Sequence, residues 1–128
     1  MKGVTVAVVG GGGRVGATFA YALMLSGLAS RIVLVDAEQA RAEGQAMDLS
    51  HGLSFVRPAE VTAGGYDDCA LADIVVITAG AAQRPGESRL DLVQRNVALY
   101  REIIPAITRH NYNGILLVVS NPVDILTC

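Results

Sequence analysis

Apolar runs of strand length alternate along this chain with stretches of helical spacing. Residues 4–9 are a β-branched run, and glycines follow directly. A helix is expected over 14–25, stopped by Ser26 and Gly27. Residues 31–36 form the next strand run, and 38–49 the next helix, with Ala42, Ala46 and Leu49 on its inner face at spacings of four and three. A short strand over 60–63 follows Pro58, is broken by Gly64-Gly65, and leads into a brief helical turn over 66–71. Residues 74–78 are apolar up to Thr78, as a strand covered on both faces requires. A long helix over 89–109 draws apolar positions from Leu92, Val93, Leu99, Ile103, Ile104 and Ile107, with a kink expected at Pro105. Residues 115–119 make the fifth strand. Nothing repeats beyond this alternation, which predicts βαβ units and a parallel sheet in an α/β fold.

The junction of the first strand and first helix carries the first chemical signal. Gly11, Gly13 and Gly16 give the spacing G-x-G-x-x-G between strand and helix, the context in which that spacing has meaning. Gly11 is expected to allow the tight turn, Gly13 to let backbone approach a pyrophosphate, and Gly16 to let helix and strand pack closely. Four consecutive glycines nearly guarantee one such match, so the motif alone is weak. Asp36 strengthens it. It ends the second strand run, twenty positions beyond Gly16, where a carboxylate accepts hydrogen bonds from a ribose diol and repels a 2′-phosphate. The competing role for Asp36 is a helix N-cap. The combination favours NAD over NADP. Ligands bind beyond the carboxyl ends of strands in open parallel sheets. Those ends hold residues 11–16, Asp36, Gly80-Ala81 and Ser120-Asn121, so the chain reads as a doubly wound, Rossmann-type, dinucleotide-binding half.

Composition narrows the partners. The 128 residues have the length of one domain, and a formal net charge of -2 with no basic run gives no reason to expect nucleic acid or an anionic membrane. No apolar run approaches a membrane span, and the N-terminus opens on a strand, so no signal peptide is read. Cys69 and Cys128 have no metal-ligand spacing, which leaves free thiols in a reducing cytoplasm and no metal.

Three further segments carry a family likeness. Residues 77–92 hold a polar loop, Gln83-Arg84-Pro85-Gly86-Glu87-Ser88-Arg89, which composition alone makes a solvated, mobile surface loop. Together the segment resembles the active-site loop of the lactate/malate dehydrogenase family. Residues 120–127, beginning Ser120-Asn121-Pro122-Val123-Asp124, resemble a second landmark of that family, and residues 44–51 are similar to a third. The likeness runs in register from Val4 to the end of the chain.

The resemblance implies an oxidoreductase that moves hydride between NAD and a small 2-hydroxy acid, L-lactate and pyruvate above all, in a glycolytic, cytoplasmic homo-oligomer. Arg89 is implied as the catalytic lid arginine that polarises the substrate carbonyl, where negative charge develops as hydride arrives. Gln83, Arg89, Asn121 and Asp124 are implied at the substrate. The neutral Gln83 suits lactate's methyl, where malate-type members place an arginine. Beside Gly11, Gly13, Gly16 and Asp36, the cofactor set is implied to hold Arg14, Val15, Arg41, Tyr66, Gly80, Ala81, Asn96, Val119, Ser120 and Asn121. His51 and His110 lack the Gly-Asp that follows the family's proton donor, so neither takes that role. Residues 1–128 are therefore expected to be an incomplete NAD-binding domain, with the sixth strand and catalytic domain absent and no catalysis by this piece alone. A malate-type member and a free-standing nucleotide-binding module remain as alternatives. Gly10 departs from the family pattern, which puts an apolar residue there, and is expected to loosen the strand end or widen the turn.

Overall fold

A computed structural model describes residues 3–51, 60–78, 85–109 and 114–119. The elements run β1 (Thr5–Val9), α1 (Arg14–Ser26), β2 (Arg31–Val35), α2 (Gln39–His51), β3 (Glu60–Gly64), a 3-10 segment (Tyr66–Leu71), β4 (Ile74–Ile77), α3 (Arg89–Thr108) and β5 (Ile115–Val118). All strand pairings are parallel, in the order β3-β2-β1-β4-β5. The chain builds outward from β1 to β3, then crosses back to β4 on the other side of β1. The direction of winding reverses between β1 and β4, and such a switch point opens a crevice at the carboxyl ends of the strands.

Alternation along each strand explains why both faces are covered. Val6, Val8, Ile32, Leu34 and Val76 point to one face, where they pack with Ala20 and Met24 of α1 and Ala42, Ala46 and Leu49 of α2. Ala7, Val9, Val33, Val35, Val75 and Ile77 point to the other, against Cys69, Ala72 and, from α3, Tyr100, Ile103 and Ile107. The expected inner face of α2 is the one observed. Small residues on α1 and α2 let these helices lie close to the sheet. β5 departs from the fully covered pattern: Ile115 and Leu117 are exposed.

Element ends follow local chemistry. Gly27 stops α1 in the left-handed conformation, φ 71°, with its N–H donating to the Met24 carbonyl. Pro105 lies inside α3, which continues to Thr108. The proline sits in the last turns, so only one helical hydrogen bond near an exposed end is forgone. The expected free loop before α3 is tied down in its described part. Glu87 accepts two bonds from Arg95, at 2.7 Å each, to Nε and to an Nη. Ser88 Oγ caps the helix by accepting from the Asp91 N–H at 3.1 Å, and Asp91 answers with a longer contact of 3.4 Å to the Ser88 N–H.

Candidate dinucleotide site

The glycine turn is built from β1 outward. Gly10 takes φ 87°, a conformation that a side chain disfavours, and this reverses the chain at the end of β1. The N–H groups of Gly10 and Gly11 both donate to the Val35 carbonyl at the end of β2, at 2.7 and 3.0 Å. Gly13 N–H then closes the turn on the Gly10 carbonyl at 3.0 Å. The left-handed turn residue is thus Gly10 and not Gly11. Gly10 completes the turn where loosening was expected. Gly11 is required for a different reason: a Cβ there would lie 2.8 Å from Leu34 Cβ, inside the packing between turn and β2. Gly16 does what the spacing implied. It packs against the Gly10 carbonyl group, where a Cβ would come 2.8 Å from the Gly10 carbonyl carbon.

Asp36 and Arg41 hold the turn from its β2 side. Asp36 Oδ2 accepts from the Gly12 N–H, and Oδ1 from the Glu38 N–H, each at 3.0 Å. Arg41 donates to the Gly12 carbonyl at 3.1 Å. Gly12 must be bare for this: a Cβ would stand 2.7 Å from Arg41 Cβ and 2.8 Å from Asp36 Oδ2. The N-cap role weighed for Asp36 is not the one observed: α2 starts at Gln39, and Asp36 instead closes a local turn on the Glu38 N–H just before it, while its other oxygen faces the glycine turn. A carboxylate has about four acceptor positions. Two are used here, which leaves capacity for a diol held in a fixed direction.

The start of α1 suits an anion. Gly13 is its N-cap, no side chain caps it, and its first turn carries no acidic residue. Its leading N–H groups and the positive dipole end therefore stay available to a phosphate. The N-terminus of α3 has both devices that α1 lacks, in Ser88 and Asp91.

A cleft of about 250 Å³ opens at the switch point, lined by the turn (Gly10, Gly13), Asp36, Arg41, Tyr66 and Thr78 and floored by Leu99 and Ile103 of α3. Burial raises the Tyr66 phenol above its ordinary pKa, and the neighbouring Cys69 thiol, Asp36 and Glu102 push it further in the same direction. The ring therefore stays neutral over the physiological range. Cys69, fully buried behind it, is raised to about 12 by burial and by Asp68 and Asp67.

The structure gathers Gly13, Asp36, Arg41 and Tyr66 of the sequence-derived set around one cleft. Arg14 and Val15 are exposed on the first turn of α1, and Arg89 is exposed on the first turn of α3. Asn96 is the buried polar residue among those described, on the face of α3 that it shares with Tyr100 and Ile103. Val119 follows β5, with its N–H on the Ile77 carbonyl at 2.9 Å. Neither Arg89, Asn96 nor Val119 lines the cleft. Gly80, Ala81, Gln83, Ser120, Asn121, Asp124, His110 and Cys128 lie outside the described residues. Sequence reading missed Gly10, Gly12, Thr78, Leu99 and Ile103. The two α3 residues were legible only as core positions, and one glycine in a run of four carries no mark of its own. Among the described residues no cluster of His, Cys, Asp or Glu could hold a metal, and no helix is long and apolar enough to cross a membrane.

A parallel sheet with a glycine turn at its switch point, an uncapped helix start and an acidic residue ending β2 defines a dinucleotide-binding domain of the Rossmann class. The chain belongs to the lactate/malate dehydrogenase family and matches its NAD-binding domain over residues 4–128. It is 58% identical to an L-lactate dehydrogenase of Clostridium botulinum (strain 657 / Type Ba4) over 117 residues, covering 91% of this chain and 37% of that one. It is 57% identical to one of Acetivibrio thermocellus over 127 residues, covering 99% and 39%. Among solved structures, a minor L-lactate dehydrogenase from Enterococcus mundtii in its ligands-bound form superposes with a TM-score of 0.94 at 42% identity, over 98% of this chain and 40% of that one. A lactate dehydrogenase enzyme from a Medee basin deep-sea metagenome library gives 0.92 at 46% identity, over 98% and 40%. The chain thus spans roughly two fifths of the length of these relatives.

Proposed function

We propose that residues 1–128 are the NAD-binding domain of an L-lactate dehydrogenase, in which hydride passes between the C2 carbon of lactate and NAD. The observation that carries the cofactor assignment is the Gly12–Asp36 contact of 3.0 Å, which fixes a carboxylate beside the phosphate turn. A ribose diol can donate to that carboxylate, whereas a 2′-phosphate would meet its charge. The substrate assignment rests on identity near 58% to relatives named L-lactate dehydrogenase and on the neutral Gln83 in the loop.

The roles of the chain's own residues follow. Gly13 and the start of α1 receive the pyrophosphate, Asp36 the adenosine ribose, and Arg41 and Tyr66 border the adenine end. Arg14, Val15, Gly80, Ala81, Asn96, Val119, Ser120 and Asn121 complete the cofactor contacts. When bound, the nicotinamide supplies the hydride acceptor. Arg89 polarises the substrate carbonyl, and its place on a capped helix start, behind the Glu87–Arg95 pair, gives that guanidinium a firm base. Gln83 is assigned to the variable end of the substrate and Asn121 to its oxygen, and Asp124 is assigned to the substrate set. The proton donor is neither His51 nor His110, so the 128 residues alone bind nucleotide without turning over lactate. The family resemblance also supports a cytoplasmic homo-oligomer.

The experiment is a titration of NADH and NADPH against the 128-residue chain, together with lactate- and malate-dependent NAD reduction by the protein as its gene encodes it. Tighter binding of NADH and a preference for lactate are expected. Replacing Gln83 by Arg should shift preference towards oxaloacetate. A malate preference in the unaltered protein would overturn the substrate assignment, and equal affinity for NADPH would overturn the cofactor assignment.

A further inference from the structure

The glycine turn is held on two flanks, and only one of them belongs to the dinucleotide fingerprint. On the β2 flank stand Val35, Asp36 and Arg41. On the β4 flank stands Thr78, the first residue beyond Ile77. Its N–H donates to the Val9 carbonyl at 2.9 Å, continuing the ladder between β4 and β1. Its hydroxyl donates to the same carbonyl, also at 2.9 Å, and lies 3.5 Å from the Gly10 carbonyl oxygen. Thr78 Oγ1 also stands at the contact between turn and helix, 2.8 Å from where a Cβ on Gly16 would be.

We propose that Thr78 is a positioning residue for the dinucleotide: its hydroxyl clamps the Val9–Gly10 end of β1 and thereby sets the turn that receives the pyrophosphate. The inference rests on the cleft being the NAD site. Gly10 has the left-handed conformation that reverses the chain, and its carbonyl takes the N–H of Gly13, the N-cap of α1. A small rotation of the Val9–Gly10 peptide is therefore passed directly to Gly13 and to the N–H groups of α1. The hydroxyl opposes that rotation from β4, as the Val35 carbonyl, which accepts the Gly10 N–H at 2.7 Å, opposes it from β2. The clamp is separable from the fold. Without the hydroxyl, the Val9 carbonyl still keeps the Thr78 N–H, so no buried acceptor is orphaned.

The test uses the protein as its gene encodes it, with NADH binding followed by nicotinamide fluorescence and the unfolding midpoint measured without ligand. Thr78→Val keeps the shape and removes the hydroxyl. Thr78→Ser keeps the hydroxyl and removes the methyl. Thr78→Val should weaken NADH roughly five- to tenfold, the equivalent of one hydrogen bond. Its unliganded midpoint should stay near that of the parent, and Thr78→Ser should restore affinity. Unchanged affinity in Thr78→Val, or Thr78→Ser as weak as Thr78→Val, overturns the proposal. If Thr78→Val does not fold, the clamp is not separable and the proposal fails as stated, while Thr78→Ala against Thr78→Ser still decides whether the hydroxyl matters. Failure of the unaltered protein to bind NADH would instead overturn the reading of the cleft.

Discussion

Gly12 and Asp36, 24 residues apart, are joined by a 3.0 Å hydrogen bond from a backbone N–H to a carboxylate oxygen. The carboxylate braces the glycine turn, and on the proposed function it would also read the ribose of the cofactor. Replacing Asp36 by Ala removes both functions. NADH affinity should fall by roughly tenfold or more, the scale of a hydrogen bond to a charged group. Affinity for NADPH should hold or rise, because the repulsion of a 2′-phosphate is gone and Arg41 remains beside it. Parallel fluorescence titrations with the two cofactors check this. An unchanged NADH-to-NADPH ratio would sink the role of Asp36 as discriminator.

The glycines separate by what each must do. Gly10→Ala places a side chain at φ 87° and should cost about 1–2 kcal/mol of stability. Gly13 has φ -85°, and a Cβ there would meet only the Gly10 carbonyl oxygen, at 3.4 Å. Gly13→Ala should therefore fold nearly as well as the parent, and its methyl should crowd the pyrophosphate and weaken NADH. Urea unfolding should place Gly10→Ala below Gly13→Ala, and NADH titration should show Gly13→Ala weakened although its stability is near that of the parent. A Gly13→Ala protein with full affinity would count against pyrophosphate contact at that position.

These two cases show what was legible in the sequence and what was not. Strand positions 6–9, 32–35 and 74–77 stand out because a strand buried on both faces must be apolar, and the helices follow from spacing and from the glycine that ends α1. Asp36 was legible because the distance from glycine turn to acid is fixed by one βαβ unit. Gly10 was not, because handedness is a property of backbone angles and four adjacent glycines are alike in sequence. Thr78 reads as a strand end until β1 and β4 are seen side by side. Leu99 and Ile103 read as core, and the floor of the cleft is core exposed at the switch point. The loop before α3 reads as free because the partner of Glu87 lies eight residues on, across the helix start.

That partner makes a third prediction. Arg95 and Glu87 form a bidentate pair, and the bond to Glu87 raises the Arg95 pKa. Glu87→Gln keeps the size and removes the charge. The variant should melt earlier than the parent at low salt. The gap should narrow towards 1 M salt, where the Debye length is only about 3 Å. If Arg89 depends on this anchoring for catalysis, kcat should fall more than the affinity for NADH, because the cleft at Asp36 is untouched. A variant with reduced NADH affinity and unchanged kcat would contradict that division.

Cys69 gives a pH dependence whose sign is fixed by burial. Its thiol is pushed up to about 12 in the folded chain, against about 8.5 in an unfolded one. Below about pH 8.5 the thiol is protonated in both states, and its contribution to stability is fully present. Above that value the unfolded chain releases a proton that the folded chain keeps. Unfolding becomes more favourable as pH rises, until about 12, where the folded thiol also ionises. Tyr66, also raised, adds to the same loss above about pH 10. Urea midpoints between pH 7.5 and 10.5 should therefore decline. Cys69→Ala, though less stable at neutral pH because it leaves a gap behind Tyr66, should decline less steeply. A buried, protonated thiol is also a poor nucleophile. With Cys128 replaced by Ser, thiol-reactive reagents at pH 8 should label Cys69 at the rate of unfolding rather than at the rate of a free cysteine, and immediate labelling of Cys69 in the folded protein would contradict its burial.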